Sequence, residues 1–433
     1  MGIGGQSGRW TLRTRQVLEF LEFWASRNRT AASDLSGLLR EYARKFPQMG
    51  SRDRKEWSMG VYQALRAQRI WRSSDRVADI AADIAADRAA DFAPWEQALT
   101  AGLLAMHGEE HPWVAYLREQ YPSKNDLKSI LQENSSKGFP FSDFISPRLV
   151  DDIQSLDPAE GTYGIEKWLQ EQGLPGMAWL RIRRGYETVM EERIHQQGWT
   201  APLKFTMKHP SALQAWAMPL GLALNELEGY KEGWFEMQDL SSQRLVECMP
   251  AKAAGRWLDA CAGSGGKTLL LHEAYPELQW FVTDSRASIL QECSRRFQRA
   301  GWRNYSRALT DWLSPEPAEL GSFPSQFDGV LLDAPCSGSG SWRNHPHLQL
   351  LGPPMNPLEF AEKQGRMLAR LWSRVRSGGY LLYATCSVYS CENEEVVKAF
   401  LASKEDSHLC LDRYLNATPQ GGDTLYAALI QKK

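Results

Sequence analysis

Residues 11 to about 130 place apolar side chains three and four positions apart, the spacing that puts them on one face of an α-helix. The pattern is clearest in LEFLEFWASRNR, DLSGLLREYARKF and RDRKEWSMGVYQALRAQRIW. It predicts an all-helical N-terminal domain. The polar stretch QENSSKGFPFSDFISP, residues 132–147, is rich in serine, glycine and proline, which is typical of a connection. We therefore place the first domain at residues 1–145.

One segment of this region, DIAADIAADRAADFAPW, repeats an aspartate every four residues. The spacing aligns the carboxylates of Asp79, Asp83, Asp87 and Asp91 on one ridge of a helix. We interpret this ridge as the solvated face of an alanine-rich helix, the usual meaning of such a charge run.

Residues 146–240 are mixed and predict a small α/β unit. The strand candidates are MAWLRIRR and LKFTM, and the helix candidates are ETVMEERIHQQ and ALQAWAMPLGLALNEL. Arg181, Arg183 and Arg184 cluster at the end of the first strand candidate. Such a cluster can contact phosphates, although surface arginines without a partner are at least as common.

From residue 241 to residue 433 the pattern changes to a repeat of buried strand, small-residue turn and helix. It runs through RWLDACAGSGGKTLLLHEA, LQWFVTDSRASILQECSRRF, FDGVLLDAPCSGSG and GGYLLYATCSVY. Short apolar runs without strict alternation indicate strands that are buried on both faces, hence a parallel sheet with helices on either side. Ligands bind such sheets at the carboxyl ends of the strands, where all four unusual sequences fall.

Composition restricts the class of protein only moderately. The 433 residues are 43% hydrophobic and 24% charged, as in ordinary soluble proteins. The net charge of −2 predicts no global attraction to nucleic acid, so any such binding must use local patches. No apolar run approaches the roughly 20 residues of a membrane span, and MGIGGQSGRW lacks the order of a signal peptide. We expect a cytoplasmic protein without a membrane partner.

The cysteines argue against both disulfides and zinc, because they are odd in number and include no C-x-x-C pair. They are Cys248, Cys261, Cys293, Cys336, Cys386, Cys391 and Cys410. We therefore expect reduced thiols and no bound metal.

The first turn of the repeat, Asp259 to Thr268, ends in GKT and so suggests a phosphate-binding loop. That loop requires a glycine where this chain has Cys261, which counts against a nucleotide-hydrolysing switch. A glycine-rich turn also suits a nucleoside cofactor. Asp284, which ends the second strand, can accept hydrogen bonds from both ribose hydroxyls or can cap the following helix.

Asp311 and Asp333 complete a row of carboxylates along the ligand edge. An NAD enzyme could share this frame, but its usual catalytic donors are not recognisable here. Cys336 and Cys386 follow adjacent strands, which indicates covalent chemistry on a planar electrophile. The alternative for each thiol is a small buried hydrophobic side chain.

Taken in order, DACAGSGGKT, Asp284, DAPCSGSGSWR and ATCS followed by ENEEVV resemble the RNA cytosine carbon-5 methyltransferases, in particular the 16S ribosomal branch typified by RsmB and RsmF. The resemblance runs from QDLSSQ to the C-terminus. The N-terminal helices look more faintly like a NusB-type RNA-binding domain. The resemblance implies a Rossmann-like methyltransferase core, S-adenosylmethionine as cofactor, and a cytosine in structured RNA as substrate.

The resemblance also implies residue roles. Cys386 would attack carbon 6 of the cytosine, Cys336 would help to remove the carbon-5 proton, and Asp333 would hold the base. In a related DNA-modifying class the Pro-Cys thiol is the nucleophile instead, so this division between the thiols rests on the resemblance. Trp342 and Arg343 could stack on the RNA and contact its phosphates, or pack on the domain surface.

The cofactor residues are implied in the same way. Asp284 would bind the ribose, Asp311 would lie on the adenine side, and Asp333 would border the cofactor. The turn would cradle the methionine portion through Cys261, Ala262, Gly263, Ser264, Gly265, Gly266 and Lys267.

Three departures from the family's pattern make the substrate position less certain than the reaction. Gly263-Ser264 replaces the usual alanine-proline, Ile289 stands where arginine is common, and Cys391 is an extra thiol.

We expect 16S rRNA or a small-subunit assembly intermediate as the partner of a monomeric enzyme. A transfer-RNA cytosine methyltransferase and an inactive RNA-binding assembly factor are the alternatives.

Overall fold

The computed structural model describes residues 3–27, 35–47, 49–72, 99, 117, 146–154, 168, 171, 176–209, 213–314, 320–321, 323–350 and 356–433. The chain forms two compact units. The first unit comprises Met1–Ile145, Val150–Pro175 and Trp342–Asn356. The second comprises Ser146–Leu149, Gly176–Ser341 and Pro357–Lys433, so it contains both of the β-sheets described below. The three-domain division at 145 and 240 stays a prediction.

The first unit is helical over its described residues, as the apolar spacing predicts. Its helices are α1 (Ile3–Arg27), α2 (Leu35–Ala43) and α3 (Ser51–Arg72), and α4 (Pro147–Gln154) follows them in the chain. Phe20, Tyr42 and Trp57 pack together at ring-centroid distances of 5.2 to 6.0 Å. The Trp57 Nε1–H donates to the Gln16 carbonyl over 3.0 Å, which joins α1 to α3. The aspartate ridge from Asp79 to Asp91 lies outside the described residues.

A four-stranded antiparallel sheet opens the second unit. Its strands are β1 (Ala178–Ile182), β2 (Leu203–Thr206), β3 (Gln214–Met218) and β4 (Phe235–Met237), in the order β2-β3-β1-β4, and α5 (Glu187–Gln196) follows β1.

The helix predicted for ALQAWAMPLGLALNEL is wrong, because this segment forms β3 and a later 3-10 turn, Leu224–Glu226. The two faces of β3 are both apolar. Ala215 and Ala217 face one hydrophobic core, and Trp216 and Met218 face another. A strand buried on both faces shows no alternation of apolar and polar residues, so its sequence cannot be distinguished from a buried helix.

The larger sheet has seven strands in the order β10-β11-β9-β8-β5-β6-β7. They are β5 (Arg256–Asp259), β6 (Gln279–Asp284), β7 (Tyr305–Leu309), β8 (Phe327–Asp333), β9 (Val375–Thr385), β10 (Ser407–Asn416) and β11 (Thr424–Lys432). The helices of this region are α6 (Leu240–Gln243), α7 (Gly266–Ala274), α8 (Ala287–Arg299), α9 (Pro357–Trp372) and α10 (Glu394–Ala402).

The five strands from β5 to β9 are parallel, as predicted. The last two are not, because β11 runs antiparallel to β9 and β10 runs antiparallel to β11. The order reverses between β5 and β8, which opens a crevice at the carboxyl ends of the strands. Asp259, Asp284, Asp333 and Thr385 end four of these strands.

One hydrophobic core connects the two sheets of this unit. It contains Trp257, Trp280 and Leu331 from the parallel strands, together with Trp179 and Met207 from the small sheet. The strands that form the crevice are therefore packed on a hydrophobic core shared with the small sheet. Among the described residues no helix is long and apolar enough to cross a membrane.

Candidate active site

Two thiols meet at the carboxyl ends of two adjacent strands. Cys336 lies just after β8 and Cys386 directly after β9, and these strands pair in parallel, with Asp333 opposite Ala384. The two Sγ atoms are 3.2 Å apart, and both residues are partly buried. The sequence predicted two thiols at this edge of the sheet, and the structure brings them into direct contact.

The two thiols differ in acidity. A hydrogen bond from the Cys336 thiol lowers the pKa of Cys386, burial opposes this effect, and the charge of Lys267 adds to it. The same hydrogen bond raises the pKa of Cys336 well above its usual value, and burial raises it further. These opposite directions favour a thiolate at Cys386 over one at Cys336. Because the thiolate is the nucleophilic form, they agree with the predicted attack by Cys386, and that role stays a prediction.

Lys267 and Asp333 form an ion pair beside the thiols. The Lys267 Nζ donates to the Asp333 Oδ2 over 2.6 Å, with side chains that are 17% and 29% exposed. Burial lowers the pKa of Lys267, but the charge and hydrogen bond of Asp333 outweigh it and raise the pKa overall. Lys267 was assigned to the cofactor turn, and the structure also connects this residue to the thiol centre.

One of the small residues after Cys336, Gly340, is required by a close backbone contact. A side chain on Gly340 would place its Cβ 2.1 Å from the Thr424 carbonyl oxygen. The Gly340 N–H donates to the Cys386 carbonyl over 2.9 Å, so the two thiol loops are joined through their backbones. The turn after β8 thus packs directly against β11 and the turn after β9.

A buried carboxylate, Glu392, lies beneath both thiol loops. Its Oε1 accepts from the Ser337 N–H over 2.9 Å, and its Oε2 accepts from the Ser337 hydroxyl over 2.5 Å and the Ser387 hydroxyl over 2.6 Å. Burial raises the pKa of Glu392, although these hydrogen bonds lower it in part. Glu392 begins the ENEEVV run that carries part of the resemblance, but no role was assigned to it, because its sequence does not distinguish it from the exposed Glu395 of the same run.

The turn between β5 and α7 is shaped by glycine and by a buried carboxylate. Gly265 has a φ of 82°, and a Cβ there would lie 2.5 Å from Phe297. Asp259 accepts from the Thr268 hydroxyl over 2.6 Å and from the Cys261 N–H over 3.3 Å. Burial raises the pKa of Asp259 to about 7, and the Thr268 hydrogen bond opposes this. Asp259 therefore fixes the turn from its buried side, by accepting hydrogen bonds from two of its residues.

Asp284 lies against this turn. Its Oδ2 accepts from the Gly263 N–H over 3.0 Å, and the Arg286 guanidinium donates to both carboxylate oxygens over 3.0 and 3.2 Å. The residue is 4% exposed. The structure thus places Asp284 next to the turn that the sequence paired it with, and its contact with a ribose stays a prediction.

Ser264, one of the departures from the family's pattern, is held by a side chain from α8. The Arg296 Nη1 donates to the Ser264 hydroxyl over 2.9 Å and to its carbonyl oxygen over 3.3 Å. The Arg296 Nε pairs in turn with the buried Glu236 over 3.2 Å. This contact restrains the turn at the position where the resemblance predicts proline.

The turn has the features that S-adenosylmethionine requires. The first N–H groups of α7 have no partners within the helix, and they suit the carboxylate of a methionine portion. Gly263 has a φ of 54°, and a Cβ there would meet nothing within 4 Å, so space is open beside the backbone. Asp284 supplies the nearby carboxylate.

Asp311 lies two residues after the end of β7, and β7 is the strand next to β6. Its side chain is exposed and its Oδ1 accepts from the Leu313 N–H over 2.8 Å, so it caps a local turn. The position is near the predicted adenine side, and the contact itself stays a prediction.

The proposed RNA residues fall in different environments. Arg181 is 0% exposed, and its guanidinium pairs with Glu273 and Gln238. The expected phosphate contact from Arg181 therefore does not fit this structure, since the group is turned away from solvent.

Trp342 and Arg343 belong to the first unit and are only 3% and 6% exposed, so their contact with RNA stays a prediction.

Arg183 and Arg184 line a cavity of ≈ 300 Å³. Arg183 is partly exposed and also pairs with Glu273 over 3.4 Å, and the contact of both arginines with RNA stays a prediction. His272 and Trp302 also line it, with their rings stacked at a centroid distance of 4.0 Å. Burial, followed by the charge of Arg183, lowers the pKa of His272 to about 4, so the imidazole is neutral at pH 7.

The parallel sheet, the glycine turn before α7 and the acidic end of β6 are the features expected of an S-adenosylmethionine-dependent methyltransferase fold. The family model described as 16S rRNA methyltransferase RsmB/F matches residues 247–424. A ribosomal RNA small subunit methyltransferase B of Salmonella arizonae is 32% identical over 321 residues, which are 70% of each chain. The chain belongs to this RsmB/F family, and S-adenosylmethionine is its cofactor.

Other similar proteins agree with this assignment. A protein of the same name from Escherichia coli O6:K15:H31 is 32% identical over 274 residues, and the chain spans 59% of its length. The crystal structure of PH0851 superposes with a TM-score of 0.67 at 17% identity, covering 100% of both chains. A methyltransferase homologue from Pyrococcus horikoshii gives a TM-score of 0.50 at 20% identity, covering 67% of this chain and 100% of its own. These two structures show the fold alone.

Proposed function

We propose that the protein methylates carbon 5 of a cytosine in 16S ribosomal RNA through a covalent bond between Cys386 and carbon 6. The observation that carries this proposal is the thiol pair, with its Sγ atoms 3.2 Å apart and opposite shifts in pKa. Two structural cysteines would not need contact at a ligand edge between two adjacent strands. The names of the curated relatives support RNA as the substrate.

Carbon 5 of cytosine is a weak nucleophile, and the Cys386 thiolate overcomes this weakness. Its electron pair forms the bond to carbon 6, and the electrons of the ring double bond become available at carbon 5. Bound S-adenosylmethionine supplies an electrophilic methyl group. Asp333, held by Lys267, accepts hydrogen bonds from the amino group of the base and from nitrogen 3 once that atom has taken up a proton from solvent, and so stabilises the ring that thiolate addition produces.

The release step explains why a second thiol is present. The hydrogen bond to Cys386, burial and the negative charge of Cys386 all raise the pKa of Cys336. Once Cys386 is bonded to carbon 6 it carries no charge, so its two contributions are lost, the pKa of Cys336 falls, and the thiol can lose its proton to solvent. As a thiolate it takes the proton from carbon 5. The electrons of that C–H bond restore the double bond and expel Cys386 as a thiolate.

RNA would be held by local positive groups, since the chain as a whole carries a net charge of −2. Arg183 and Arg184 supply two such groups at one cavity of the second unit. We assign the helical region within residues 1–145 a further RNA-binding role. The expected setting is the cytoplasm, where an rRNA substrate would be modified in free form or in an assembly intermediate.

The direct test compares RNA from a deletion strain with RNA from the parent strain by bisulfite sequencing. One cytosine of 16S rRNA should lose its protection in the deletion strain and regain it when the purified protein and S-adenosylmethionine are added. Loss of protection in transfer RNA alone would support the tRNA alternative. Unchanged protection in all RNA, with S-adenosylmethionine binding intact, would support an inactive assembly factor.

A further inference from the structure

The carboxylate of Glu392 is completely buried, at 0% exposure, and it receives four hydrogen bonds. Three come from Ser337 and Ser387. The fourth comes from the Gln364 Nε2 on α9, which donates to Oε1 over 3.2 Å. A carboxylate has about four acceptor positions, so Glu392 has none left for a substrate. It is therefore not a base in the reaction.

The two serines that donate to Glu392 have a common property, which is their position directly after the two thiols. Ser337 follows Cys336, and Ser387 follows Cys386. Gln364 also donates to the Pro335 carbonyl over 2.9 Å and so holds the residue before Cys336. One side chain thus receives bonds from both thiol loops and from the residue that supports one of them.

The neighbouring residue, Asn393, strengthens the same arrangement on the Cys386 side. Its Nδ2 donates to the Ser387 carbonyl over 2.9 Å, and its Oδ1 accepts from the Thr385 hydroxyl over 2.5 Å. The residues on both sides of Cys386 are therefore fixed. Ser339 connects the loops again, because its hydroxyl lies 3.1 Å from that of Ser387 and accepts from the Val388 N–H over 3.0 Å.

The charge of Glu392 does not help to form a thiolate. It raises the pKa of both Cys336 and Cys386, and so it opposes ionisation of the nucleophile. A buried ionised carboxylate is also costly unless its hydrogen bonds are complete. What Glu392 contributes to this site must therefore be geometric.

We propose that Glu392 is a positioning residue that fixes the two thiol loops against each other and so sets the distance between Cys336 and Cys386. The inference rests on the proposed function, since it assumes that the thiols act on one base. Without Glu392 the two loops keep their backbone contact through Gly340, but the side-chain hydroxyls that follow each thiol lose their shared acceptor. The thiols then sample wider separations.

The test measures thiol proximity without using RNA. Diamide, a diazene oxidant that takes up two electrons and two protons, converts a close thiol pair to a disulfide. The Cys336–Cys386 disulfide is followed by peptide mass spectrometry in the wild-type protein and in Glu392→Ala, Glu392→Gln and Glu395→Gln variants. Glu395 is exposed and accepts a hydrogen bond from the Ser390 hydroxyl rather than from either thiol loop, so its variant is the matched control.

In Glu392→Ala, disulfide formation should slow about tenfold or more, and methyl transfer about 100-fold, the scale for a misplacement of reacting groups by about 1 Å. Affinity for S-adenosylmethionine should not change. Alkylation of Cys386 should keep its midpoint or move to lower pH, because a negative charge is gone. Glu392→Gln keeps the shape and should fall between Glu392→Ala and the wild type, whereas Glu395→Gln should behave as wild type.

An unchanged disulfide rate in folded Glu392→Ala would overturn the proposal. If that variant does not fold, Ser337→Ala and Ser387→Ala remove one side of the bridge each, and an unchanged rate in both would overturn it equally. A slowed disulfide rate in a protein that methylates no cytosine would leave this inference standing and remove the proposed function instead.

Discussion

The cofactor turn after β5 and the thiol centre after β8 and β9 lie at one edge of the same sheet, yet they are built differently. The cofactor turn relies on backbone groups, with Gly263 and Gly265 in the left-handed region and Asp259 and Asp284 accepting backbone N–H groups. The thiol centre relies on side chains, with Lys267 on Asp333 and buried serines on Glu392.

This difference determines how each region responds to a substitution. A turn held by its backbone keeps its donors when a side chain changes, so the departure predicted at Gly263-Ser264 leaves those donors in place, and Arg296 restrains Ser264. A centre held by side chains loses its geometry when one of them is removed. We therefore expect changes in the thiol centre to affect the rate, and changes in the turn to affect cofactor affinity.

The largest effect after loss of a thiol is expected at Asp333. Asp333→Asn should lower kcat about 100- to 1000-fold, the range for removing one group that stabilises charge in a transition state. Affinity for S-adenosylmethionine should change little. The control is Asp328→Asn, at the start of the same strand, where the carboxylate pairs with Arg376. Equal losses of kcat in the two variants would show that Asp333 acts only through the stability of β8.

Asp284→Ala should weaken S-adenosylmethionine binding by about 1 to 3 kcal/mol, because it leaves buried donors such as the Gly263 N–H without their acceptor and removes the proposed ribose contact. Isothermal titration calorimetry gives the value directly. Asp311→Ala should cost less, since its carboxylate is exposed. Wild-type affinity in Asp284→Ala would remove the ribose assignment.

Arg296→Gln should weaken cofactor binding by about 0.5 to 1.5 kcal/mol through the loss of its bond to Ser264. Ser264→Ala removes the same hydroxyl bond from the other side. If the contact is what matters, the two changes should be strongly non-additive in a double-mutant cycle. Fully additive losses would mean that Arg296 acts through Glu236 alone.

The smallest effect is expected at the cavity arginines. Arg183→Gln and Arg184→Gln should each weaken RNA binding and reduce the slope of log affinity against log salt by about 1, as for one lost phosphate contact. Arg295→Gln provides the control, because its side chain is 65% exposed on α8. If all three variants keep the wild-type slope, the RNA path does not pass over this cavity.

The parallel strands and the ligand edge were predictable from sequence, because each buried strand ends in a distinctive turn. The segment from residue 212 to residue 227 was not, because β3 is apolar on both faces and carries no strand periodicity. The antiparallel strands β10 and β11 are not followed by a glycine-rich turn or by candidate site residues. The repeat of strand, turn and helix therefore did not predict their place or direction in the sheet.

The reacting groups of the site could be predicted from sequence, but the buried residues that position them could not. Cys336 and Cys386 stand out in sequence because thiols at strand ends are rare, and the structure brings them together. The burial of Glu392 and Arg181 is not visible in sequence, since charged residues resemble surface residues until their partners are known. Ser337 lies 55 positions from Glu392, and Glu273 lies 92 positions from Arg181, so these contacts depend on the fold.

The central claim is the division of labour between the thiols, and denaturing electrophoresis of protein mixed with labelled RNA and S-adenosylmethionine tests it most directly. Cys336→Ala should accumulate a covalent protein–RNA band, because Cys386 still attacks but release is impaired. Cys386→Ala should give no band and no methyl transfer, and Cys410→Ala, at an exposed thiol, should behave as wild type. A band from Cys386→Ala and none from Cys336→Ala would contradict the account and make Cys336 the nucleophile.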